Sequence, residues 1–335
     1  MRIIYIPVTI KITEKNFKNF LRCIAYDIYI ILKNFSFKKK ATNSTSGYID
    51  AAIHSNAFVI ELPYNYCLTF SKILNLLFDG IFVNWKFTNY RKDKNALETK
   101  LLKLSKKFKI KKVIIDGTDQ STNLIKDEIL QGFDYVIKRE KNKSISNNKY
   151  LSTILPCKLI NYKITKNKEI IDWNNIGNAK PNYNPKYDIF FSGQETSKYR
   201  NDLIEFLKNR KYNFFGRAEN SKIPFKKYLS NIYDSSINLA LEGKGEFTFR
   251  HLEILASCSF MLCERSINEL ELPIPLVDEK HFVSFTDKED LIEKIDFYLK
   301  NNNLRNKIAL NGRQVLEEHY SPKKHGKILM SKIFK

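Results

Sequence analysis

The residues best suited to chemistry lie in one stretch of the second half of the chain. A strand of buried type, INLALE, leads there into a loop with Gly243 and Lys244, and a helix is predicted to begin near Thr248. Such a junction exposes unpaired backbone N–H groups at the positive end of a helix, where an anion is stabilised. Arg250 adds a guanidinium that can hold a phosphate with two donors, and Glu253 lies on the same helix face. The pattern predicts an anion site, although a tight turn followed by a surface ion pair would give the same sequence.

Two carboxylates in the first half are candidates for acid–base chemistry. Asp116 and Asp119 stand at the end of a predicted strand, in the segment KVIIDGTDQS. Cleft residues collect at the carboxyl ends of parallel strands, and a carboxylate there can deprotonate a hydroxyl group as a general base. A simple turn is the alternative, because Asp-Gly and Thr-Asp are ordinary turn formers. His54 and Glu61 are further candidates, and Arg139 follows another strand, where it meets either an anionic substrate or only solvent.

The cysteines and histidines do not predict a metal site. The chain has five of each, scattered along the sequence, with no CxxC pair and no metal-ligand spacing. Scattered, odd-numbered cysteines fit a reducing compartment. Cys258, which follows the helix of the anion site, is predicted to be a small buried residue and not a nucleophile.

The elements that must position these residues alternate between strand and helix, which indicates βαβ units and parallel sheets. In the first half, strands are predicted at residues 3–7, 58–62, 80–84, 112–116 and 134–138, and helices at 17–32, 68–77, 95–108 and 124–131. In the second half, strands are predicted at residues 187–192, 212–215, 236–241, 260–263 and 281–285, and helices at 199–208, 225–231, 249–257, 287–299 and 304–318. Asp287 is placed to cap the fourth of these helices.

A break in this alternation predicts two domains. Residues 141–186 contain SISNN, ILPCK and WNNIGNAKPNYNP, with Pro181 and Pro185 closely spaced, and this composition is typical of loops and linkers. We therefore predict an N-terminal domain over residues 1–160, a linker over 161–186, a C-terminal domain over 187–320 and a tail over 321–335. Doubly wound domains of this kind bind ligands in the crevice at the carboxyl ends of their strands.

Composition and charge limit the partners. The 335 residues include 43% hydrophobic and 28% charged residues, which is a globular composition, and the formal net charge is +21. A surface this basic attracts nucleic acid, anionic lipid headgroups or phosphate-bearing substrates, but a chain rich in Lys, Asn and Ile would be basic whatever its function. The first residues lack the pattern of a secretory signal, and no apolar stretch reaches the ~18 residues of a membrane span. We predict a cytoplasmic protein, with the inner face of the membrane as a candidate surface for peripheral attachment.

The anion-site segment, GKGEFTFRHLEILA, resembles the signature of the group 1 glycosyltransferases, in which a glycine loop leads to a helix of pattern (S/T)-x-R-x-x-E-x-x-A. The segment from residue 282 to residue 321 also resembles the C-terminal end of that family. Two further segments, FFSG and FFGR, resemble strand–turn positions that line the donor cleft of these enzymes. The resemblance covers residues 187–320, and the N-terminal half shows no comparable signature.

The resemblance implies an α/β protein with the GT-B fold, in which two Rossmann-like doubly wound domains face each other. It implies that the C-terminal domain binds a nucleotide-sugar and the N-terminal domain an acceptor, without a metal or another cofactor. Arg250, with Lys244 as a weaker candidate, would neutralise the donor phosphates, and Glu253 would bind the ribose. The implied donor-binding set also contains these residues: Gly193, Arg200, Gly216, Arg217, Gly243 and Thr248.

The sequence departs from the family pattern at two points. Relatives carry two glutamates separated by seven residues, whereas six residues lie between Glu246 and Glu253. Relatives often have glycine after the helix, where this chain has Cys258.

The resulting hypothesis is a glycosyltransferase that moves a sugar from a nucleotide-sugar to a surface glycan or lipid-linked acceptor, as in lipopolysaccharide or capsule synthesis. Two alternatives are a basic nucleic-acid-binding protein and a non-catalytic scaffold with a GT-B-like fold. Against nucleic acid, the basic residues are dispersed and the sequence has no helix-turn-helix, zinc-finger or RRM motif.

Overall fold

A computed structural model describes residues 1–6, 47–62, 64–84, 94–164, 169–176, 178–218 and 223–335. The helix predicted at residues 17–32 lies outside these ranges. Two parallel sheets form the centres of two domains, and the alternation of strands and helices predicted from the sequence is confirmed in both.

The N-terminal domain is built on a six-stranded parallel sheet with the order β2-β1-β3-β4-β5-β7. Its central strands are buried on both faces, which explains their nearly continuous apolar sequences such as GIFVN and KKVIID. The elements of this half are β1 (Arg2–Ile6), α1 (Gly47–His54), β2 (Phe58–Glu61), α2 (Tyr64–Thr69), α3 (Ser71–Leu77), β3 (Gly80–Asn84), α4 (Lys94–Lys107), β4 (Lys111–Asp116), α5 (Asp127–Gln131), β5 (Tyr135–Lys138), β6 (Lys141–Asn142) and β7 (Tyr150–Ser152).

A short hairpin and a second parallel sheet follow. The C-terminal sheet has five strands in the order β11-β10-β12-β13-β15. Its elements and the preceding hairpin are β8 (Tyr162–Ile164), β9 (Glu169–Ile171), β10 (Tyr187–Gly193), α6 (Lys198–Lys208), β11 (Phe214–Ala218), α7 (Phe225–Tyr233), β12 (Ser235–Ala240), α8 (Phe249–Ala256), β13 (Met261–Glu264), β14 (Leu270–Glu271), β15 (Val283–Phe285), α9 (Lys288–Lys300), α10 (Asn302–His319) and α11 (Pro322–Ile333). Asp287 caps α9 as predicted, because its Oδ1 accepts a hydrogen bond from the N–H of Asp290 at 2.9 Å.

Three predictions about the elements are wrong. The helix predicted at residues 68–77 is two short helices, α2 and α3. The region treated as loop contains β7, which completes the first sheet beside β5. The segment treated as a tail contains α11, which packs on the N-terminal domain, where Leu329, Met330 and Ile333 share a buried cluster with Ile3 and Tyr5.

The two domains are joined by hydrogen bonds as well as by the chain. Strand β14 of the second half pairs antiparallel with β6 of the first half, with Leu270 opposite Asn142 and Glu271 opposite Lys141. The Nζ of Lys141 lies 2.5 Å from Oε2 of Glu271. Residues that follow strands of both sheets line one cavity, so the carboxyl ends of the two sheets face a common interdomain cleft.

Candidate active site in the interdomain cleft

A cavity of about 680 Å³ lies in the cleft, which is within the size range of ligand pockets. Its C-terminal wall is formed where β10 and β12 end. This is the topological switch point of the second sheet, because the chain runs outward from β10 to β11 and then resumes at β12 on the other side. Its N-terminal wall includes Asp119, Arg139 and Lys158. The cavity therefore lies where a doubly wound sheet binds its ligand.

Arg250 is held on the C-terminal wall by the end of β10. Its Nη2 donates to the carbonyl of Ser192, and its guanidinium carbon lies 4.4 Å from the ring centre of Phe191. The close approach needs the glycine that follows, because a Cβ on Gly193 would lie 2.6 Å from Nη2 of Arg250. Glycine at position 193 therefore leaves room for the Arg250 side chain at the end of β10.

Arg200 lies beside Arg250 and is almost fully buried, at 3% exposure. It stands in the first turn of α6, where the Oγ of Ser197 accepts from its N–H at 3.2 Å. Its Nη1 donates to the carbonyl of Gln194 at 2.8 Å, and its Nη2 donates to the carbonyl of Leu241 at 2.9 Å. Arg200 thereby ties the end of β10 to the end of β12.

The two arginines together form an incompletely satisfied cationic site. Burial, and next the charge of Arg250, lowers the pKa of Arg200 to about 10. The Nε atoms of Arg200 and Arg250 are buried and have no hydrogen-bond partner within the described residues. Two neighbouring guanidinium groups with unused donors fit an anion, which would relieve their mutual repulsion and accept their hydrogen bonds.

The glycine loop forms the next part of the wall. The N–H of Gly243 donates to the carbonyl of Gly245 at 3.0 Å, and Gly243, Lys244 and Thr248 all line the cavity. Thr248 is the N-cap of α8, and its N–H donates to Nδ1 of His251 at 3.0 Å. Burial, with the charge of Arg250, lowers the pKa of His251 to about 3, so this imidazole is a neutral acceptor.

Glu253 lines the same cavity from α8 at 4% exposure. Its Oε2 accepts a hydrogen bond from the hydroxyl of Tyr228 at 3.0 Å. Burial raises the pKa of Glu253, while Lys158, Tyr228 and Arg250 oppose that shift. The remaining acceptor positions of this carboxylate suit the hydroxyl groups of a ligand.

The N-terminal wall contains a chain of charges that continues into the other domain. Asp119 is 38% exposed, and its Oδ1 accepts from Nη2 of Arg139 at 2.5 Å. Arg139 also bonds the carboxylate of Glu140, which hydrogen-bonds Glu246 of the C-terminal domain. Glu246 in turn accepts from the hydroxyl of Ser121 at 2.7 Å.

The carboxyl groups of Glu140 and Glu246 interact across the domain boundary, and their pKa values shift in opposite directions. Burial, and then the hydrogen bond with Glu246, raises the pKa of Glu140 to about 7, although Arg139 lowers it. Burial acts to raise the pKa of Glu246 as well, but hydrogen bonds from Glu140 and Ser121 bring it below its usual value. Glu246 thus serves the domain contact and does not line the cavity.

The structure separates the two aspartates predicted as catalytic. Asp116 ends β4 at 3% exposure, where its Oδ2 accepts from the buried Lys138 at 3.1 Å. Its Oδ1 accepts from the N–H and the hydroxyl of Thr118 at 2.9 and 2.6 Å. Both oxygens are thus engaged away from the cavity, whereas Asp119 lines it.

Four other candidates also lie away from the cavity. Gly216 and Arg217 are on the edge strand β11, and a Cβ on Gly216 would collide with the ring of Phe214, so this glycine serves packing. His54 pairs with Glu61 at 3.3 Å between Nε2 and Oε1. None of the four is among the residues that line the cavity.

Cys258 is buried, as the sequence predicts, and has a positive φ of 52°. It directly follows the C-cap of α8, a position that favours glycine because a side chain is strained there. Burial raises the pKa of its thiol to about 11. The residue replaces a helix-ending glycine and is not a reactive thiolate.

Three residues of the site were not assigned to it from the sequence. Lys158 and Tyr228 line the cavity, and Glu140 joins the domains behind it. Lys158 lies in a segment interpreted as loop, and its Nζ is 4.6 Å from the ring centre of Phe249. No local pattern marked it as a cleft residue.

Within the described ranges, no group of three or more His, Cys, Asp or Glu side chains is arranged to hold a metal ion. The helices in the same ranges include none with the length and apolar character to cross a membrane.

Comparisons with known proteins give one family match and several solved structures of similar fold. Residues 198–330 match the family described as glycosyl transferase-like. The structure of the lipopolysaccharide outer core galactosyltransferase WaaB is 11% identical, with a TM-score of 0.57 over 100% of this chain and 99% of that one. HepE of Anabaena, solved in complex with UDP, is 8% identical, with a TM-score of 0.54 over 99% of each chain.

An α-glucosyltransferase solved with UDP and a 13-mer DNA is 12% identical, with a TM-score of 0.53 over 100% of this chain and 99% of that one. No curated protein sequence matches the chain significantly. At these identities the likeness to solved structures concerns the fold. The fold is that of the GT-B glycosyltransferases, and residues 198–330 match a glycosyl transferase-like family. The GT-B fold that the sequence resemblance implies is confirmed, and the family match falls on the part of the chain that carries the resemblance.

Proposed function

We propose that the protein transfers a sugar from a UDP-sugar, bound on the C-terminal wall of the cleft, to an acceptor on the N-terminal wall. The observation that carries this proposal is the pair of neighbouring guanidinium groups, the buried Arg200 and the half-buried Arg250, which line the cavity together with a glycine loop. UDP as the nucleotide of the donor is supported by two structures of the same fold that were solved with UDP.

The roles follow from charge and geometry. The bond between the sugar and the diphosphate breaks with negative charge developing on the departing phosphate, and fixed cations there stabilise the transition state. Arg250 and Arg200 supply that charge, with Lys244 at the mouth of the loop. Glu253 accepts hydrogen bonds from the ribose hydroxyl groups. These assignments require no metal, and the metal-independent, cofactor-free reaction stays a prediction.

Asp119 is the preferred general base on the acceptor wall. It is the exposed carboxylate of the pair predicted from the sequence, and Arg139 fixes its orientation through the contact at 2.5 Å. In an inverting transfer it would take the proton of the acceptor hydroxyl as that oxygen attacks the sugar. Asp116 is assigned instead to the support of β4 and β5.

A nucleotide panel tests the donor site. UDP, GDP, ADP, dTDP and CMP and their sugars are added to wild type, Arg250→Ala and the matched control Arg210→Ala, and thermal unfolding is followed. We expect UDP and a UDP-sugar to raise the Tm of wild type and of the control. The Tm of Arg250→Ala is expected to stay unchanged when either compound is added. No stabilisation by any nucleotide would overturn the donor-site proposal.

For the acceptor, we propose a glycan or lipid-linked surface oligosaccharide, as in lipopolysaccharide or capsule synthesis. The likeness in fold to WaaB supports this choice. Release of UDP from UDP-sugars is measured with defined oligosaccharide acceptors. Binding of a donor without turnover on any acceptor, and without slow hydrolysis of the donor, would favour the non-catalytic scaffold.

Modified DNA is a second candidate acceptor. The net charge of +21 and the fold shared with an α-glucosyltransferase solved on DNA support it. Duplex DNA containing hydroxymethylated bases is offered with a labelled UDP-sugar. Transfer of label to that DNA, with none to oligosaccharides, would replace the glycan acceptor by DNA.

A further inference from the structure

The turn that carries Asp119 is held in a strained conformation. Its next residue, Gln120, has a positive φ of 78°, which is uncommon for a residue with a side chain. Such a backbone persists only where its surroundings fix it. The side chain of Asp119 is 38% exposed, so the turn and its contacts determine where this carboxylate points. A general base needs a fixed position, because it must lie within hydrogen-bond reach of the proton that it removes.

Arg139 joins this turn to Glu140. Both residues directly follow β5, and Arg139 is 4% exposed while Glu140 is fully buried. The Nη2 of Arg139 donates to Oδ1 of Asp119 at 2.5 Å, and its Nε donates to Oε1 of Glu140 at 2.9 Å. Its Nη1 donates to the carbonyl of Gly117 at 3.4 Å. The planar guanidinium is therefore attached at three points and connects the position of Asp119 to that of Glu140.

Glu140 also contacts the glycine loop of the other domain. Its Oε2 accepts a hydrogen bond from the N–H of Phe247 at 3.2 Å, and Phe247 lines the cavity. A Cβ on Gly245 would collide with Oε2 of Glu140 and would lie 3.0 Å from the backbone nitrogen of Gln120. Glycine at position 245 thus makes room for two residues of the N-terminal domain.

A second contact fixes the other end of the turn. The N–H and the hydroxyl of Ser121 donate to the carboxylate of Glu246, at 3.1 and 2.7 Å. Ser121 is fully buried, and Glu246 belongs to the glycine-loop segment GKGEF. The residues before and after Gln120 are therefore both tied to the glycine loop, the first through Arg139 and the second directly.

We propose that Glu140 is a positioning residue of the transfer reaction, which holds Asp119 at a fixed place relative to the donor. This inference rests on the proposed function. In the reaction the acceptor hydroxyl gives its proton to Asp119, its oxygen bonds to the anomeric carbon of the sugar, and UDP leaves. The donor lies on one domain and the base on the other, so contacts across the cleft fix the distance between them.

The burial of Glu140 supports a role beyond stability. Burying a carboxylate costs free energy unless its partners compensate fully, and burial raises the pKa of Glu140 to about 7. An ion pair that served stability alone would not need to reach the other domain. The costly group stands where the base and the glycine loop meet, as perturbed carboxyl groups of functional sites do.

A double-mutant cycle between Glu140→Gln and Asp119→Asn tests the inference. Release of UDP from UDP-glucose and UDP-galactose is measured with the acceptor that supports turnover of the wild type, or with water where none does. The assay is run at about pH 8, above the raised pKa of Glu140, so that the native carboxylate is charged. The amide keeps the shape of the carboxyl group and loses the charge that holds Arg139.

Two further variants complete the design. Glu271→Gln is the matched control, because it removes the charge from another interdomain pair, with Lys141, away from the cavity. Arg139→Lys replaces the three-point attachment by a single ammonium group and is expected to lower kcat as Glu140→Gln does. Thermal unfolding shows which variants are folded, and Arg139→Lys decides the question if Glu140→Gln is not.

Glu140→Gln is expected to lower kcat about ten- to a hundredfold, because a small displacement of the base slows the reaction strongly. Its affinity for UDP should stay unchanged in isothermal titration, since the residues that hold the donor remain. In the Asp119→Asn background the same change should lower kcat by less than about twofold, because no base is left to be positioned. Glu271→Gln should keep the kcat of the wild type.

An unchanged kcat in Glu140→Gln, beside a reduced kcat in Asp119→Asn, would overturn this inference and leave the proposed function standing. An equal loss in both backgrounds would also overturn it, since Glu140 would then act independently of the base. A loss of the same size in Glu271→Gln would mean that any weakened domain contact slows the reaction. Full activity of Asp119→Asn, or no turnover by the wild type, would instead overturn the proposed function and this inference with it.

Discussion

The two walls of the cleft are built in different ways. On the C-terminal wall, backbone carbonyls at the ends of β10 and β12 hold Arg200 and Arg250, and the Nε atoms of both arginines have no hydrogen-bond partner within the described residues. On the N-terminal wall, charged side chains hold one another, from Asp119 through Arg139 to Glu140. The residues of a wall that is held by backbone groups can be predicted from a local sequence motif. The residues of a wall that is held by side-chain partners cannot, because the partners are distant in sequence.

The largest effect is expected from the exposed carboxylate of the N-terminal wall. Asp119→Asn should lower turnover by about 10²–10⁴-fold, because a general base is lost, with little change in donor affinity. Steady-state kinetics with separate determination of kcat and the KM for the donor would measure this. The control is Asp202→Asn, at an exposed aspartate of α6. Full activity of Asp119→Asn would remove this residue from catalysis and weaken the contrast between the walls.

Asp116→Asn should act on stability instead. The change leaves the fully buried Lys138 without its counter-charge, and breaking a buried pair in this way costs about 3–5 kcal/mol. Chemical denaturation would show a lower free energy of unfolding, while the fraction that remains folded keeps its kcat. A stable variant with greatly reduced kcat would instead place Asp116 in the reaction.

On the opposite wall, Glu253→Gln should weaken donor binding by about tenfold, since a hydrogen bond to a charged group contributes about 1.5–3 kcal/mol and the amide keeps part of it. Isothermal titration with UDP and with uridine would show a loss for both, because the ribose is common to them. Glu293→Gln, on the exposed face of α9, is the control. A loss confined to UDP would mean that Glu253 acts on the phosphates.

The smallest effect concerns the raised pKa of Glu140 at the domain boundary. The pKa of Glu140 is raised from 4.5 to about 7, so between these values the folded state keeps a proton that the unfolded state has released. Stability from this group is complete below the lower value and is lost as the pH rises through the upper one. We expect Tm to fall with rising pH in that window, and to fall less steeply in Glu140→Gln. An unchanged slope would contradict the raised pKa of Glu140.

The sequence was informative where function and local structure coincide. Gly243, Lys244, Thr248, Arg250 and Glu253 come from one continuous segment, and the structure brings all of them to the cavity. The fold was predictable for the same reason, because each strand–helix unit carries its own apolar pattern. Strand β7 was missed because three residues in a polar region give no detectable alternation.

The sequence did not distinguish cleft residues from structural ones where contacts between distant parts of the chain determine the role. Asp116 and Asp119 looked equivalent, and Lys138 on the neighbouring strand is what separates them. Gly216 and Arg217 resembled cleft residues because they follow a strand-like run, but they lie on the edge strand. The ring of Phe214 fills the space beside Gly216, a packing requirement that no local pattern reports.

The last helix of the chain has a consequence for biosynthesis. Helix α11 covers apolar residues of β1 and α1, including Ile3, Tyr5 and Ile49, with side chains that follow the whole C-terminal domain in sequence. The ribosome therefore delivers the final piece of the first domain only after it has translated the second. During that interval the apolar face that α11 later covers stays exposed on the nascent first domain, for as long as translation of the second domain takes.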